Sequence, residues 1–237
     1  MMFRVRRVTT TRAGGVSRPP FATFNLGDHV GDDPAAVAAN RRRLATATGL
    51  GTDGIVWMDQ THSTHVGLVD HGGQTVADTD GLVTTRPSLG LAVVTADCVP
   101  VLMADARHGV VAAVHAGRVG AAGGIVPGAV QVMVDAGARA EDISVLLGPA
   151  VSGRNYEVPA EMADEVERAL PGSRTTTGRG TPGLDLRGGI AAQLRALGVT
   201  AIDVDPRCTV DDPALFSHRR DAPTGRLASV IWLESAS

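Results

Sequence analysis

The chain contains 237 residues, of which 43% are hydrophobic and 20% are charged, and its formal net charge is −3. These proportions are typical of a soluble globular protein, and the small negative charge excludes the basic surface of a nucleic-acid-binding protein. All 22 basic residues are arginine. Any anion that the protein binds is therefore expected to contact guanidinium groups rather than lysine ammonium groups.

The amino terminus and the apolar segments predict a cytoplasmic protein. The first twelve residues are basic and lack the apolar segment of about 7–15 residues that a signal peptide carries. No apolar stretch reaches the roughly 18 residues of a membrane span. The two cysteines, Cys98 and Cys208, are expected to be reduced thiols. We predict a monomer or small homo-oligomer without a membrane or nucleic-acid partner.

Three segments have the pattern of helices. In the first, DDPAAVAANRRRLATATGL, Asp32 or Asp33 can cap the start, Pro34 suits the first turn and Gly49 can end the helix. Two further helices are predicted by the same pattern, from Pro159 to Gly172 and from Asp185 to Gly198. Seven short apolar runs are typical of strands that are buried on both faces: 54–58, 89–96, 100–105, 109–114, 143–148, 201–205 and 228–233.

The arrangement of these elements predicts the fold class. Residues 100–114 have the pattern of a hairpin that turns at the sequence ARHG. No internal repeat and no polar linker divides the chain. We therefore predict one α/β (α+β) domain over residues 1–237, with a mixed β-sheet core covered by helices.

A possible metal ligand lies at or near the end of three of the apolar runs. GIVWMDQTHSTH ends near His62, LAVVTADCVP is interrupted at Cys98, and VVAAVHAG ends at His115. Strand ends at one sheet edge converge readily, and two histidines with one cysteine suit a zinc ion that keeps a fourth position open. The alternative for each residue alone is a hydrogen-bonded core histidine or a buried thiol. The other possible ligands are histidines of neighbouring loops: His65, His71 and His108.

At these residues the sequence resembles the laccase-domain family, also called the peptidoglycan editing factor or multicopper polyphenol oxidase-like family. The resemblance is carried in order by TTTRAGGVSRPPFATFNLGDHVGDDPAAVAANRRRL, MDQTHST, ADTDGLVT, TADCVPVLMAD, VVAAVHAG, LGPAVSGRNYEV, DLRGGIAAQL and CTVDDPALFSHRRDAPTGRLASVIWL. It covers nearly the whole chain. It implies a one-domain α/β fold and a zinc site on His62, Cys98 and His115.

The resemblance also implies a reaction. Members of the family are expected to cleave adenosine, inosine and 5′-methylthioadenosine with phosphate, and to deaminate adenosine with the help of zinc. Copper is less favoured as the cofactor, because multicopper sites need many clustered histidines and this chain has seven histidines without a His-x-His pair. The chain departs from the family's HAGWRG, having Arg118 and Val119 in HAGRVG, and has Ala150 at a usual cysteine position. Arg118 either supplies the missing anion contact or marks a changed substrate.

Several polar residues are candidates for the rest of the site. The segment FSHRRDAPTGR offers Arg219, Arg220 and Arg226, whose guanidinium groups suit phosphate but could equally be solvated or paired with aspartates. Glu157 and Asp97 are candidate proton-transfer groups, and Asp97 could instead orient a zinc-bound histidine. We predict substrate contacts from four residues: Asn25, His29, Arg118 and Arg226. Tyr156 and Arg12 are further candidate pocket residues, and the ring of Tyr156 is a candidate for stacking on a base.

Two other functions fit the same residues. In the first, Cys98 is the nucleophile of an amidase that edits peptidoglycan precursors, with His62 or His115 as its base. In the second, the departures in HAGRVG mark a member that kept a structural metal and lost catalysis. The purine nucleoside phosphorylase and adenosine deaminase activities are the preferred prediction, with catalytic roles for Cys98, Arg219, Arg220 and Glu157.

Overall fold

The computed structural model describes residues 3–235, which form six helices. None of the described helices is long and apolar enough to cross a membrane. The bounds of the helices are as follows: α1 Pro34–Thr48, α2 Arg118–Ala122, α3 Ile125–Asp135, α4 Ala160–Ala169, α5 Leu186–Ala196 and α6 His218–Asp221.

The three helices predicted from the sequence are present, although α4 ends at Ala169, before the glycine Gly172 that was predicted to end it. The Asp33 carboxylate accepts a hydrogen bond from the backbone N–H of Ala35, and Gly49 ends α1 in the left-handed conformation with φ 73°. Asp185 caps α5 by accepting from the N–H of Gly188, and Pro159 precedes α4. Local capping contacts therefore set both ends of α1 and the start of α5.

Thirteen strands form two large sheets and a small hairpin. The strands of the five-stranded sheet are, in spatial order, β1 Arg4–Thr9, β13 Leu227–Glu234, β6 Gly90–Thr95, β2 Ile55–Met58 and β4 Thr75–Val76. Those of the six-stranded sheet are β12 Ala201–Val204, β9 Ser144–Leu147, β7 Val99–Asp105, β8 Val110–Ala116, β5 Gly81–Thr84 and β3 Val66–Leu68. The hairpin consists of β10 Arg174–Thr176 and β11 Pro182–Leu184. All seven predicted strands are present, and β7 and β8 form the predicted antiparallel hairpin.

The two large sheets pack face to face, with helices on both outer faces. On β8, Val111 and Ala113 face the layer between the sheets, whereas their neighbours pack on the other side against α3, α4 and α5. On β6, Leu91 and Val93 face that same layer, whereas Ala92 and Val94 belong to the cluster beneath α1. The continuous apolar runs of β6, β7 and β8 follow from this arrangement, because these strands are buried on both faces. The prediction of burial on both faces is wrong for β12, an edge strand that is largely exposed.

The layer between the sheets opens at the end where the candidate ligands lie. His115 has the same strand parity as Val111 and Ala113, so its side chain faces between the sheets. Cys98 immediately precedes β7, in the segment that carries the chain from β6 in one sheet to β7 in the other. His62 follows β2 of the five-stranded sheet. The fold therefore brings one ligand from each sheet, and one from the crossing between them, to a common edge.

Candidate metal centre and active-site cavity

His62, Cys98 and His115 form one cluster. Their potential ligand atoms all lie within 4.8 Å of one another. Cys98 Sγ is 3.8 Å from His62 Nε2, and the two imidazole rings meet edge to face with centroids 4.7 Å apart. His115 is buried, whereas Cys98 and His62 are accessible from the open side. The geometry is that of a three-ligand site with one side free for a further ligand.

Asp80 holds two of these residues in place. Its carboxylate lies 2.7 Å from Nδ1 of His115, so the Nε2 atom of that ring is left for a metal ion. The same carboxylate accepts hydrogen bonds from the backbone N–H groups of Thr61, His62 and Ser63 and from the Ser63 hydroxyl. The backbone carbonyl of Asp80 also accepts from the N–H of His115. One buried side chain therefore sets the orientation of His115 and the path of the turn that carries His62.

The backbone is unusual on both sides of the cluster. His62 has φ 62° and Asp97, next to Cys98, has φ 96°, values that residues other than glycine rarely adopt. Such conformations persist where the surrounding contacts determine them. Around His62 those contacts come from Asp80, and around Asp97 they come from the segment 209–219 described below.

The electrostatics of the cluster favour an ionised thiol. Burial disfavours the Cys98 thiolate, but hydrogen bonds and charge from His115 and His62 outweigh burial and lower its pKa to about 6. Burial also opposes the charged form of His115, yet Asp80 and Cys98 raise the pKa of that imidazole to about 9. The pKa of Asp80 falls to about 2, because the hydrogen bonds from His115 and Ser63 exceed the effect of burial. At neutral pH without a metal ion, the cluster is therefore a thiolate beside a protonated His115, and a bound metal ion would take the place of the proton on Nε2.

The donor set and its surroundings fit a metal ion. Two imidazole nitrogens and one thiolate suit zinc, which prefers nitrogen and sulfur ligands. Gly117 leaves room for their close approach: a Cβ atom there would lie 2.7 Å from Cδ2 of His62 and 3.1 Å from Cys98 Sγ. Only glycine avoids that crowding.

The cluster opens into a cavity of about 410 Å³, a size typical of small-molecule sites. Part of the wall is apolar, from Val94, Ala96, Val151 and Leu186. The structure brings nine of the residues named from the sequence to this cavity: His29, His62, Asp97, Cys98, His115, Arg118, Tyr156, Arg219 and Arg226. The predicted ligand cluster and three of the predicted arginines therefore face one space.

Arg220 does not line the cavity, and its predicted catalytic role is corrected to a structural one. Its guanidinium group donates to the backbone carbonyls of Thr209, Val210, Asp212 and Leu215. Its Nε atom donates to Asp221. Because these donors are engaged, Arg220 stabilises the segment 209–215, and its guanidinium group is not available to bind a substrate.

Asn25 and Glu157 also lie outside the cavity lining. The fully buried Asn25 side chain donates to Gly27 and Asp32, and its oxygen accepts from the N–H of Arg226. Asn25 thus positions the backbone of a cavity arginine instead of contacting substrate. Glu157 lines a neighbouring cavity, with its carboxylate 4.0 Å from Arg179, so the structure removes it as a proton donor beside the metal cluster.

Asp97 has a different role from the two considered in the sequence. Its carboxylate accepts hydrogen bonds from the hydroxyls of Thr209 and Ser217 and from the backbone N–H of Arg219. Asp97 therefore ties the segment 209–219 to the turn that carries Cys98, whereas the contact to a ligand histidine comes from Asp80. Arg12 pairs with Asp221 at 3.6 Å and does not line the cavity.

Sequence reasoning missed several residues of the site. Asp80 gave no signal of its own, although it lies in the quoted motif ADTDGLVT. The side-chain amide of Gln60 donates to the carbonyl of Val94 and accepts from the N–H of Val94. These two hydrogen bonds join the turn after β2 to β6. Thr95 and His218 complete the cavity wall.

A second group of possible metal ligands lies where the turn between β7 and β8 meets the segment that precedes β9. It consists of Asp105, His108 and Asp142. Asp105 already accepts from three backbone N–H groups, those of Arg107, His108 and Arg139, and from the His108 ring. These contacts make it a turn-stabilising carboxylate.

Comparison with known proteins identifies the family. Residues 6–234 match the family described as multi-copper polyphenol oxidoreductase laccase. The chain belongs to this family. The laccase-family fold is also present in solved structures: YlmD of Geobacillus stearothermophilus superposes with a TM-score of 0.92 at 35% identity, covering 98% of this chain and 92% of that one. YfiH of Bacillus licheniformis gives 0.91 at 34% identity, covering 97% and 93%.

Close relatives within the laccase family carry an enzyme name. Proteins of Mycobacterium tuberculosis and Mycobacterium bovis named purine nucleoside phosphorylase are 73% identical to this chain over 232 residues, which covers 98% of this chain and 93% of each relative. A Corynebacterium glutamicum protein of the same name is 56% identical over 232 residues, covering 97% and 94%. The predicted family and the mixed α/β fold are therefore confirmed.

The laccase-family departure at HAGRVG has a structural counterpart. Arg118 begins α2 and lines the cavity, whereas the side chain of Val119 is 53% exposed to solvent. The side chain of Arg118 therefore lines the same cavity as His62, Cys98 and His115.

Proposed function

We propose that this chain is a zinc-dependent purine nucleoside phosphorylase that also deaminates adenosine. Its substrates would be phosphate and the nucleosides adenosine, inosine and 5′-methylthioadenosine. The observation that carries the proposal is one cavity that combines the His62, Cys98 and His115 cluster with three arginines and an apolar wall. The name of the mycobacterial relatives supports it.

In this proposal the metal cluster holds zinc and Asp80 orients its ligands. Zinc with an open coordination position supplies Lewis acidity to a bound substrate. Asp80 would keep Nδ1 of His115 protonated and direct Nε2 towards the ion. His62 and Cys98 would complete the set of three protein ligands.

The cavity arginines would bind the phosphate. In phosphorolysis, a phosphate oxygen forms a bond to C1′ of the ribose while the bond from C1′ to the purine nitrogen breaks, and the purine leaves with a proton. Arg118, Arg219 and Arg226 supply positive charge for the dianion. The wall of Val94, Val151 and Leu186 suits the flat faces of a purine. In deamination, water adds at C6 of the purine and ammonia leaves.

Product chromatography tests the proposal. Zinc-loaded protein is incubated with adenosine, with and without phosphate, and free adenine and inosine are measured. Adenine that forms only with phosphate is the expected result, together with inosine in both mixtures. Cys98→Ala should abolish both products, whereas Cys208→Ser changes a thiol outside the cavity lining and should retain them. Full activity of Cys98→Ala would refute the metal role, and zinc binding without any product would favour a catalytically silent member.

The contact of 3.8 Å between Cys98 and His62 also suits a cysteine nucleophile, as in a peptidoglycan-precursor amidase. Thiol alkylation distinguishes the two functions. In zinc-loaded protein, a metal-bound Cys98 should react with iodoacetamide only after a chelator is added, whereas a free nucleophile reacts at once. Rapid alkylation of the zinc-loaded protein would favour the amidase.

A further inference from the structure

The three arginines of the cavity have no acidic partner. Among residues 3–235, no carboxylate oxygen lies within 4.0 Å of the guanidinium group of Arg118, Arg219 or Arg226, although all three line the cavity. By contrast, Arg41 lies 3.1 Å from Asp28 and Arg207 lies 2.7 Å from Asp205. Arg226 already donates to the backbone carbonyls of Thr224 and Gly225. Guanidinium groups that face a cavity without a counter-ion attract an anionic ligand.

Arg219 is held at two points. Its backbone N–H donates to Asp97 at 2.7 Å, which fixes the start of its side chain. Its guanidinium carbon lies 4.8 Å from the centre of the Tyr156 ring, within the range of a cation–π contact. The ring thus limits the directions in which the guanidinium group can point.

Tyr156 is itself firmly placed. Its backbone N–H donates to Ser152 and its carbonyl accepts from Leu184, both at 3.0 Å. The preceding residue, Asn155, donates to Asp211 at 2.7 Å and to the sulfur of Cys208. The ring lines the cavity together with Arg118 and Arg219. A loop held by these hydrogen bonds therefore presents an aromatic face to Arg219, in a cavity that Arg118 also lines.

We propose that Tyr156 is a positioning residue that builds an oxyanion subsite: its ring holds Arg219 beside Arg118, and the two guanidinium groups receive inorganic phosphate. The inference rests on the phosphorylase function proposed above and names a residue that completes its phosphate subsite. Tyr156 acts through Arg219, so replacing the ring should weaken phosphate binding while zinc binding stays unchanged.

Calorimetric titration of the zinc-loaded protein with inorganic phosphate tests this role without requiring turnover. Tyr156→Phe keeps the ring beside Arg219 but loses the hydroxyl that interacts with Arg118, and it should bind phosphate more tightly than Tyr156→Leu. Tyr156→Leu removes the aromatic face and should raise the dissociation constant about tenfold, the size expected for a partly desolvated cation–π contact. In phosphorolysis assays the same variant should raise the KM for phosphate by a similar factor, with kcat and the KM for the nucleoside little changed.

A double-mutant cycle separates positioning from general damage to the fold. In an Arg219→Gln background, Tyr156→Leu should cause no further loss of phosphate affinity, because the ring has no arginine left to hold. Arg42→Gln is the control: Arg42 is exposed on α1 and lines neither of the two cavities that Arg219 lines, so its loss should leave phosphate affinity unchanged. Equal zinc content in all variants shows that the metal cluster is intact.

The outcomes separate this inference from the proposed function. If the unchanged protein binds phosphate without cleaving nucleosides, the phosphorylase function fails while the dissociation constants still test Tyr156. Additive effects in the cycle, or unchanged phosphate affinity in Tyr156→Leu, would overturn the positioning role alone. An unchanged protein that does not bind phosphate would overturn both.

Discussion

Asp80 shows how one buried carboxylate organises a site to which it contributes no ligand atom. It is fully buried, and each of its oxygens accepts hydrogen bonds from the residues around the cluster. Its low pKa keeps it charged through the physiological range, so the imidazole of His115 always faces an anion. The second carboxylate of the same motif, Asp78, has an exposed side chain and contacts only the periphery of this turn.

Asp80→Asn should therefore weaken metal binding. The amide cannot accept from His115 and from three backbone N–H groups as a carboxylate does, and the loss of such an outer contact typically lowers metal affinity about 10–100-fold. Competition with a chromogenic zinc chelator measures the change. Asp78→Asn serves as the control and should stay within about threefold of the unchanged protein, since an exposed contact contributes little. Equal affinity of the two variants would contradict the role given to Asp80.

Thr95 shows a buried polar atom that is not satisfied. Among the described residues, no hydrogen-bond partner lies near its hydroxyl oxygen, and the side chain is 2% exposed at the cavity wall. An unpaired buried hydroxyl costs about 1–3 kcal/mol, whereas an apolar group of the same shape avoids that penalty. We therefore expect Thr95→Val to raise the free energy of unfolding by about 1 kcal/mol.

Urea denaturation measures the effect of Thr95→Val. Thr84→Val is its matched control, because the equally buried Thr84 hydroxyl donates to the carbonyl of Val69 at 2.7 Å and accepts from Arg86. This control should lower the free energy of unfolding by about 1–3 kcal/mol, since it leaves the carbonyl of Val69 without the hydrogen bond from the Thr84 hydroxyl. A loss of stability in both variants would contradict the interpretation of Thr95.

At the scale of elements, the well-predicted strands are the long, continuously apolar ones. The strands β6, β7 and β8 are buried along their whole length, and local composition alone indicates them. β1 was not predicted, because RVRRVT is basic and alternates between exposed and partly buried residues. Strands of two or three residues, such as β3 and β4, depend on pairing with distant segments, which no local pattern reveals.

The turn between β7 and β8 also depends on distant contacts, and Asp105 supplies them. This fully buried carboxylate accepts from two backbone N–H groups of its own turn and from the N–H of Arg139, which precedes β9. Burial raises the pKa of Asp105, but the hydrogen bonds from Arg139 and His108 outweigh burial and lower it below its ordinary value.

Asp105→Asn should destabilise the protein at neutral pH, and the difference should shrink in acid. Because the folded pKa lies below the unfolded value of about 3.9, ionised Asp105 stabilises the fold above that pH, and its contribution disappears as the pH falls through the folded pKa. Denaturant unfolding at pH 7 and in steps below pH 4 measures the trend. Asp142→Asn, in the same turn cluster but more exposed, should show a smaller effect at pH 7. A difference independent of pH would contradict the argument.

At the scale of the whole molecule, the sequence predicted the three possible metal ligands that the fold brings together, but not which polar residues surround them. The ligand trio was predictable because each member ends an apolar run and matches a family motif. Arg220, Asn25 and Glu157 were misassigned, because only the folded chain shows that their polar atoms are engaged elsewhere or face another cavity. The division of the predicted mixed β-sheet core into two packed sheets was not predicted, since a strand buried on both faces has the same continuous apolar sequence in either arrangement.

The arrangement of the two sheets predicts that a metal ion bound to His62, Cys98 and His115 would contribute to global stability. His62 follows a strand of one sheet, His115 belongs to the other, and Cys98 lies where the chain passes between them. An ion bound to all three residues would connect the two sheets at their open end. A ligand that binds only the folded state stabilises it by about 2.7 kcal/mol at a free concentration one hundred times its dissociation constant.

Removal of zinc should therefore lower the melting temperature of the whole fold in a single transition. Scanning calorimetry with and without a chelator measures the shift, and metal analysis confirms the removal. Cys98→Ser should melt near the chelated unchanged protein and respond weakly to the chelator, because it lacks the sulfur ligand. Cys208→Ser keeps all three ligands and should show the full chelator-dependent shift. If the zinc-free protein melted at the same temperature as the loaded one, the ion would serve chemistry alone and the contact between the sheets would hold without it.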